Sequence, residues 1–263
     1  MQATHLACRQ HGHGRPVLLV HGFPFHGGQW DAIVPKLAQH ACVIVPDLRG
    51  FGGSAFGLGG DEWTQSMDAH ADDLAELLES LGVREPITLA GFSMGGYVAL
   101  SFFRRHRSRV RALALCNTRA IADTAEVAAG RATMAARALV EGPAPVIESM
   151  LPRLLAPETL TSRPDVVRRV RELMESAPRA GIAASLRGMA ARVDSTPLLP
   201  HIDVPTLVVV GEHDAISSPT EMRGIAAAIP RCRVIELPHC GHMSTHESPE
   251  GLAAALEAFV REL

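Results

Sequence analysis

Three residues in this chain make chemical sense when taken together: Ser93, Asp214 and His242. A serine hydroxyl is a weak nucleophile and attacks only when a neighbouring base takes its proton. A neutral imidazole suits that task, and a carboxylate behind it holds the ring and stabilises the imidazolium that forms. Such a set performs acyl transfer: attack on a carbonyl, a covalent intermediate, then release by water. Ser93 lies in Gly91-Phe92-Ser93-Met94-Gly95-Gly96, between the apolar run Ile87-Thr88-Leu89-Ala90 and a helix-compatible run, 97–103. A serine between glycines at a strand-to-helix junction reads as a nucleophile elbow, with the hydroxyl held clear of the backbone and small neighbours relieving the crowding. The following helix points its free amides at the site, where developing negative charge is favoured. The backbone N–H groups of Met94 and of Phe23, in the loop His21-Gly22-Phe23-Pro24, are the expected oxyanion donors.

Each member has rivals. Glu212 precedes Asp214 by two residues and reads as a loop brace, while Asn117, after an earlier strand, cannot act as a charged acid. His239 and His246 flank His242, the first before the glycine turn and the second at or before the final helix. His21 reads as a loop-shaping residue. Asp47 and Arg49 stand two residues apart in a glycine-rich loop, which reads as an ion pair bracing the turn. His11 and His13 sit in an exposed turn and carry no ligand role, so neither a metal nor a cofactor is expected.

The elements that must position these groups follow from periodicity. A short edge strand is predicted over 4–9, and buried parallel strands over 17–20, 42–45, 87–90 and 109–115, each a continuous apolar run of the kind that suits a sheet covered on both faces. Helices are predicted over 28–39, with Trp30, Ile33, Val34 and Leu37 inward, and over 67–81, stopped by Gly82. The alternation of strand and helix is the mark of a parallel α/β sheet. It breaks at about Arg119, and helices over 125–141, 143–151, 163–176 and 178–192 follow, with Pro143, Pro164 and Pro178 at helix starts. Strands over 206–210 and 233–237 and helices over 220–228 and 249–263 then resume the pattern. The expected organisation is therefore a core of residues 1–118 and 197–263 with a helical cap, 119–196, inserted in it. Ser93, Asp214 and His242 each fall just past a strand's carboxyl end, the edge where ligands bind in open parallel sheets.

Composition narrows the class. The chain has 263 residues, 47% of them hydrophobic, and a net charge of −3. That length supports one sizeable core, and that charge favours neither a nucleic-acid nor a membrane-surface partner. No amino-terminal segment combines basic residues with a long apolar run, so no signal peptide is expected, and no stretch is long enough to span a bilayer. The five scattered cysteines, Cys8, Cys42, Cys116, Cys232 and Cys240, read as reduced thiols of a cytoplasmic protein.

Over essentially its whole length the chain resembles the α/β-hydrolase superfamily. The matching pieces are His21-Gly22-Phe23-Pro24, Asp47-Leu48-Arg49-Gly50-Phe51-Gly52-Gly53-Ser54, the Ser93 elbow, Gly211-Glu212-His213-Asp214 and Gly241-His242, in the chain order serine, aspartate, histidine. Within the superfamily it looks like the small cytoplasmic bacterial members that include carboxylesterases, 3-oxoadipate enol-lactonases and cofactor-free haloperoxidases. The resemblance implies a mostly parallel sheet of seven to eight strands, with only one strand fitting before Val17. It also implies a serine hydrolase acting on small esters through an acyl-enzyme. Enol-lactone hydrolysis and a slow-turnover small-molecule receptor are the alternatives, and perhydrolysis is a side activity the same site supports. The nucleophile is serine rather than aspartate, which argues against epoxide hydrolase and haloalkane dehalogenase chemistry. Phe25, Met150 and Met189 are expected at the substrate pocket, although core packing accounts for the cap methionines equally well.

Overall fold

The computed structural model describes residues 6–54 and 65–263. Part of the predicted 4–9 strand and most of the polar loop before residue 67 lie outside the described residues. Seven strands form one sheet: β1 (Cys8–His11), β2 (Pro16–Val20), β3 (Cys42–Pro46), β4 (Ile87–Phe92), β5 (Val110–Cys116), β6 (Thr206–Gly211) and β7 (Cys232–Leu237). Their spatial order is β1-β3-β2-β4-β5-β6-β7, with β1 antiparallel to β3 and every other pair parallel. β2, β4 and β6 are buried at every position, as the unbroken apolar runs require of strands covered on both faces.

The chain leaves β2 toward β3, then returns past β2 to β4 and continues in the opposite direction. The strand order therefore reverses between β2 and β4, and a crevice opens beyond their carboxyl ends. Five helices cover the sheet: right-handed crossovers put α1 (Val34–Leu37) on one face and α2 (Met67–Ser80), α3 (Met94–Arg105) and α9 (Pro219–Ala228) on the other, and α11 (Pro249–Arg261), after the last strand, packs against α1. The predicted 28–39 helix is split into a 3₁₀ turn, Gly27–Trp30, and the short α1. Pro35 explains the break, because it has no amide to donate to the carbonyl of Asp31 four residues earlier, so it suits the start of a helix and not its interior. Trp30, Ile33, Val34 and Leu37 are nonetheless all buried.

Between β5 and β6 the described residues hold helices only: α4 (Ala125–Glu141), α5 (Ala144–Leu154), α6 (Pro157–Ser162), α7 (Pro164–Glu175), α8 (Arg179–Ala190) and a 3₁₀ stretch, Thr196–His201. α4 and α7 bury narrow stripes, whereas α8 is buried over most of its length. α7 buries Val166, Val170 and Met174 at four-residue spacing and turns its arginines outward. Close approach of backbones seats α8 on the core: a Cβ at Gly181 would collide with the Gly50 carbonyl, and one at Gly188 with that of Gln65. Arg192 is buried over the Tyr97 ring, 4.3 Å from its centre, and pairs at 2.6 Å with Asp123, which also holds Arg131. These charges leave water only as a mutually paired set, so they fix how the inserted helices meet α3. A last short helix, α10 (Ser244–Glu247), precedes α11.

Candidate functional site

Ser93 is the N-cap of α3 and holds φ 52° and ψ −115°, backbone that residues with a side chain rarely adopt. Glycines at 91 and 95 make the turn possible. A Cβ on Gly91 would meet the Gly95 carbonyl, and one on Gly95 would meet that of Val20 in β2. Ser93 N donates to the Cys116 carbonyl at 2.9 Å and Thr118 Oγ1 to the Ser93 carbonyl at 2.7 Å, so the turn is tied to the end of β5.

Three carboxyl ends bring the predicted residues together. Ser93 Oγ lies 3.0 Å from His242 Nε2, and His242 Nδ1 lies 2.9 Å from Asp214 Oδ2. His242 and Asp214 are buried. Asp214 is surrounded by donors: Oδ1 accepts Ile216 N at 2.8 Å and Ser217 N at 2.9 Å, and Oδ2 also accepts Ser217 Oγ at 2.6 Å and Asn117 Nδ2 at 2.9 Å. Burial pushes its carboxyl up, but the His242 charge and the bonds from His242, Asn117 and Ser217 outweigh that and hold it well below the usual carboxylate range. An ionised Asp214 fixes Nδ1 of His242 as the protonated nitrogen and leaves Nε2 free to accept from Ser93.

The His21–Phe25 loop lies against the elbow. A Cβ on Gly22 would sit 3.2 Å from Ser93 Cβ. Gly22 N donates to Gln29 Oε1 at 2.8 Å, Phe25 N donates to the Gly22 carbonyl at 3.0 Å, and the Phe23-Pro24 peptide is cis. Gly22 thus abuts Ser93 on one side, with Phe23 next in the loop. Met94, the first residue of α3, flanks it on the other with an amide that has no intrahelical partner. His21 is fully buried and structural: its Nε2 accepts Leu48 N at 2.9 Å, and burial lowers its imidazole to about 4.

The rivals fall away by position. Glu212 is exposed and its Oε2 accepts His239 N at 2.9 Å, while His239 lies at the surface near Glu158. His246 sits in α10, where burial lowers it to about 4. Asp47 and Arg49 are paired differently from the expectation. Asp47 accepts Gly27 N at 2.7 Å and Gly53 N at 2.8 Å, while Arg49 Nε donates to Asp73 Oδ2 in α2 at 3.0 Å. Two orphan loop amides offer a carboxylate better-placed partners than a guanidinium on the next turn does. Phe25 is core and Met150 half-buried, and Met189 places its sulfur 3.7 Å from Arg131 Nη1. None of the three lines the 90 Å³ recess beside Tyr97 and Arg192 or the 430 Å³ cleft beside Arg169 and His246.

Sequence reasoning missed four supporting residues. Ser217 reaches Asp214 and lies 3.4 Å from His242 Nδ1, and Ser244 Oγ donates to Asn117 Oδ1 at 2.6 Å, which turns the Asn117 amide toward Asp214. Asn117, which cannot serve as a charged acid, holds φ 47° just past the end of β5, a constrained position. Glu247 is buried and accepts Ala156 N at 2.7 Å and Gly241 N at 3.0 Å, tying the residue before His242 to the start of α6. Nothing in its spacing announces either partner. Glu247→Gln turns an amide toward one of two buried donors, and we expect a loss of about 1–3 kcal/mol. A thermal melt reads that as a Tm lowered by roughly 2–4 °C per kcal/mol. An unchanged Tm contradicts the bracing role.

Comparison with known proteins agrees with this architecture. A family model described as the alpha/beta hydrolase fold matches residues 15–249. Among curated proteins, a pimeloyl-[acyl-carrier protein] methyl ester esterase of Chromobacterium violaceum is 30% identical over 237 residues, covering 88% of each chain. Among solved structures, a thermophilic esterase from Thermogutta terrifontis, with malate bound, superposes with a TM-score of 0.94 at 45% identity, covering 98% of this chain and 93% of its own. An enol-lactonase from Burkholderia xenovorans LB400 superposes with a TM-score of 0.87 at 27% identity, covering 97% and 96%.

Proposed function

The chain belongs to the α/β hydrolase fold family, and from that membership and the geometry around Ser93 we propose that it is a serine hydrolase cleaving small carboxylic esters. The observation that carries the reading is the unbroken relay from Ser93 Oγ through His242 to a buried, donor-saturated Asp214. His242 Nε2 takes the hydroxyl proton as Ser93 Oγ attacks the ester carbonyl, and a tetrahedral intermediate forms. Its oxygen charge falls to the amides of Met94 and Phe23. Collapse expels the alcohol, which takes the proton from His242, and leaves an acyl-enzyme. Water, deprotonated by the same nitrogen, attacks the acyl carbon, and the acid leaves as Ser93 regains its proton.

An ester is favoured over a lactone because the 45%-identical neighbour is an esterase, whereas the enol-lactonase stands at 27%. Lactone hydrolysis is the second reading, since a ring-opened acyl-enzyme needs the same groups. A panel of p-nitrophenyl esters run beside a panel of lactones separates them. Higher kcat/KM on short acyl esters supports the first reading, and higher kcat/KM on enol-lactones overturns it.

Residues 119–196 act as a cap in this reading. The Met243 amide donates to the Leu154 carbonyl at 3.0 Å, one residue after His242, and α8 sits on the Gly50 loop, so the helices flank the strand ends where the relay lies. A cover there excludes water and limits substrate size. Tryptophan at Met150 or Met189 is expected to narrow the acyl range while sparing the smallest esters. Identical chain-length profiles for both variants and the parent remove these two positions from the pocket. All five cysteines are free, and burial pushes the Cys116 thiol up to about 12 and Cys232 up to about 11. Such inert, unpaired thiols fit a reducing cytoplasm. Among the described residues no helix is long and apolar enough to cross a membrane.

A further inference from the structure

Glu212, His213 and His239 take no part in the proposed reaction, yet they converge. One ligand-competent atom of each lies within 4.8 Å of the others, at the surface. The backbone that carries them is well anchored. β6 and β7 end side by side at Gly211 and Leu237, and the turns that follow are stitched together: Glu212 N donates to the Leu237 carbonyl at 2.9 Å, and His213 N to the Cys240 carbonyl at 2.8 Å. Glu212 Oε2 accepts His239 N at 2.9 Å and lies 3.8 Å from His213 Nε2. His239 holds φ 54°, a left-handed conformation that residues with a side chain seldom take, and in that turn its ring stands beside Glu212. Glu158 Oε2 lies 3.8 Å from His239 Nδ1 and adds a second negative charge next to the cluster. Its helix, α6, is held in place by Glu247, which bonds Ala156 N and Gly241 N together.

Two imidazoles and a carboxylate are the ligand set that Zn²⁺ takes, with ligand atoms about 2.0–2.2 Å from the metal and hence roughly 3.4 Å from one another. Exposed side chains reach that spacing from 4.8 Å by small rotations about their own bonds. We propose that His213, His239 and Glu212 form a surface site for a divalent transition metal, Zn²⁺ above all, that clamps the turn after β6 to the turn after β7. The sequence alone points to no metal, because His239 stands 26 residues from His213 and 27 from Glu212 in a chain with 13 histidines, and no ligand-spacing motif joins them. Asp214 adjoins His213, and His242 follows His239 by three residues, so an occupied site braces both turns without touching substrate.

The test is calorimetric titration of the tag-free, chelator-treated full chain with Zn²⁺, paired with thermal melts. One equivalent of metal should bind per chain, reversed by EDTA, and raise Tm. His213→Gln and His239→Asn should each weaken binding by about tenfold or more and abolish the metal-dependent rise in Tm; loss of a direct ligand costs at least what loss of an outer partner does. Asparagine is chosen at 239 because it tolerates positive φ, so the turn survives. A His11→Gln/His13→Gln double variant should bind as the parent does. No stoichiometric binding, or parental affinity in the His213 and His239 variants, overturns the proposal. Neither readout depends on turnover, so the result is independent of the serine-hydrolase reading.

Discussion

Ser93→Ala should lower ester turnover by about 10⁴ or more while leaving the melting transition close to that of the parent. The two halves of that expectation have separate causes. Alanine keeps the Cβ, so the strained backbone at φ 52° is neither relieved nor worsened. The lost Oγ bonds His242 Nε2, on the open side of the relay. Catalysis, by contrast, loses its nucleophile outright. The residual rate is what the amides of Met94 and Phe23 and substrate positioning supply without a covalent step. Steady-state kinetics on p-nitrophenyl acetate and butyrate decide the matter, and near-parental kcat in the alanine variant sinks the mechanism.

Asp214→Asn should cost turnover on a similar scale, about 10⁴, as the loss of the triad carboxylate does in a serine protease. The size follows from the donors around it. Ile216 N, Ser217 N, Ser217 Oγ, Asn117 Nδ2 and His242 Nδ1 all converge on the two oxygens. An amide in that place must turn its NH₂ toward groups that themselves donate, or force His242 into the tautomer that cannot accept from Ser93. The same donors set a pH signature. The Asp214 carboxyl titrates lower in the folded chain than its usual value of about 3.9, so its stabilisation is fully present above pH ~4 and is lost as pH falls below that. Denaturant melts should therefore show the gap between parent and Asp214→Asn narrowing as the pH drops from about 5 toward 2. A gap that stays constant across that range contradicts the depressed carboxyl.

How far the sequence alone reaches depends on whether an interaction is local. The apolar runs of β2, β4 and β6 are fully buried strands, because both-face burial writes itself as an unbroken hydrophobic string. The glycines at 91 and 95 mark a turn whose geometry excludes a Cβ, and that too is local. The order of Ser93, Asp214 and His242 follows from counting strand ends, and the structure brings the three together within hydrogen-bonding distance. What spacing misses is choice of partner across the chain. Asp47 caps two loop amides and Arg49 reaches Asp73, although the pair two residues apart looked self-sufficient. Glu247 joins Gly241 to Ala156, 91 residues away, and no periodicity encodes such a bond. The apolar stripe of residues 28–39 predicts a helix and is buried as expected, while the single proline inside it decides the backbone. Met150 and Met189 could be placed on helices but not on one side of them, since an apolar side chain serves a helix interface and a substrate pocket alike.

The central claim is that Ser93 is the nucleophile, and the most direct measurement is to trap it. Incubation with a fluorophosphonate followed by intact-mass and peptide-level mass spectrometry should give a single adduct per chain, on Ser93, with ester turnover lost in step with labelling. The Ser93→Ala protein should stay unmodified. An adduct on any other residue, or full activity in a protein labelled at Ser93, would contradict the account.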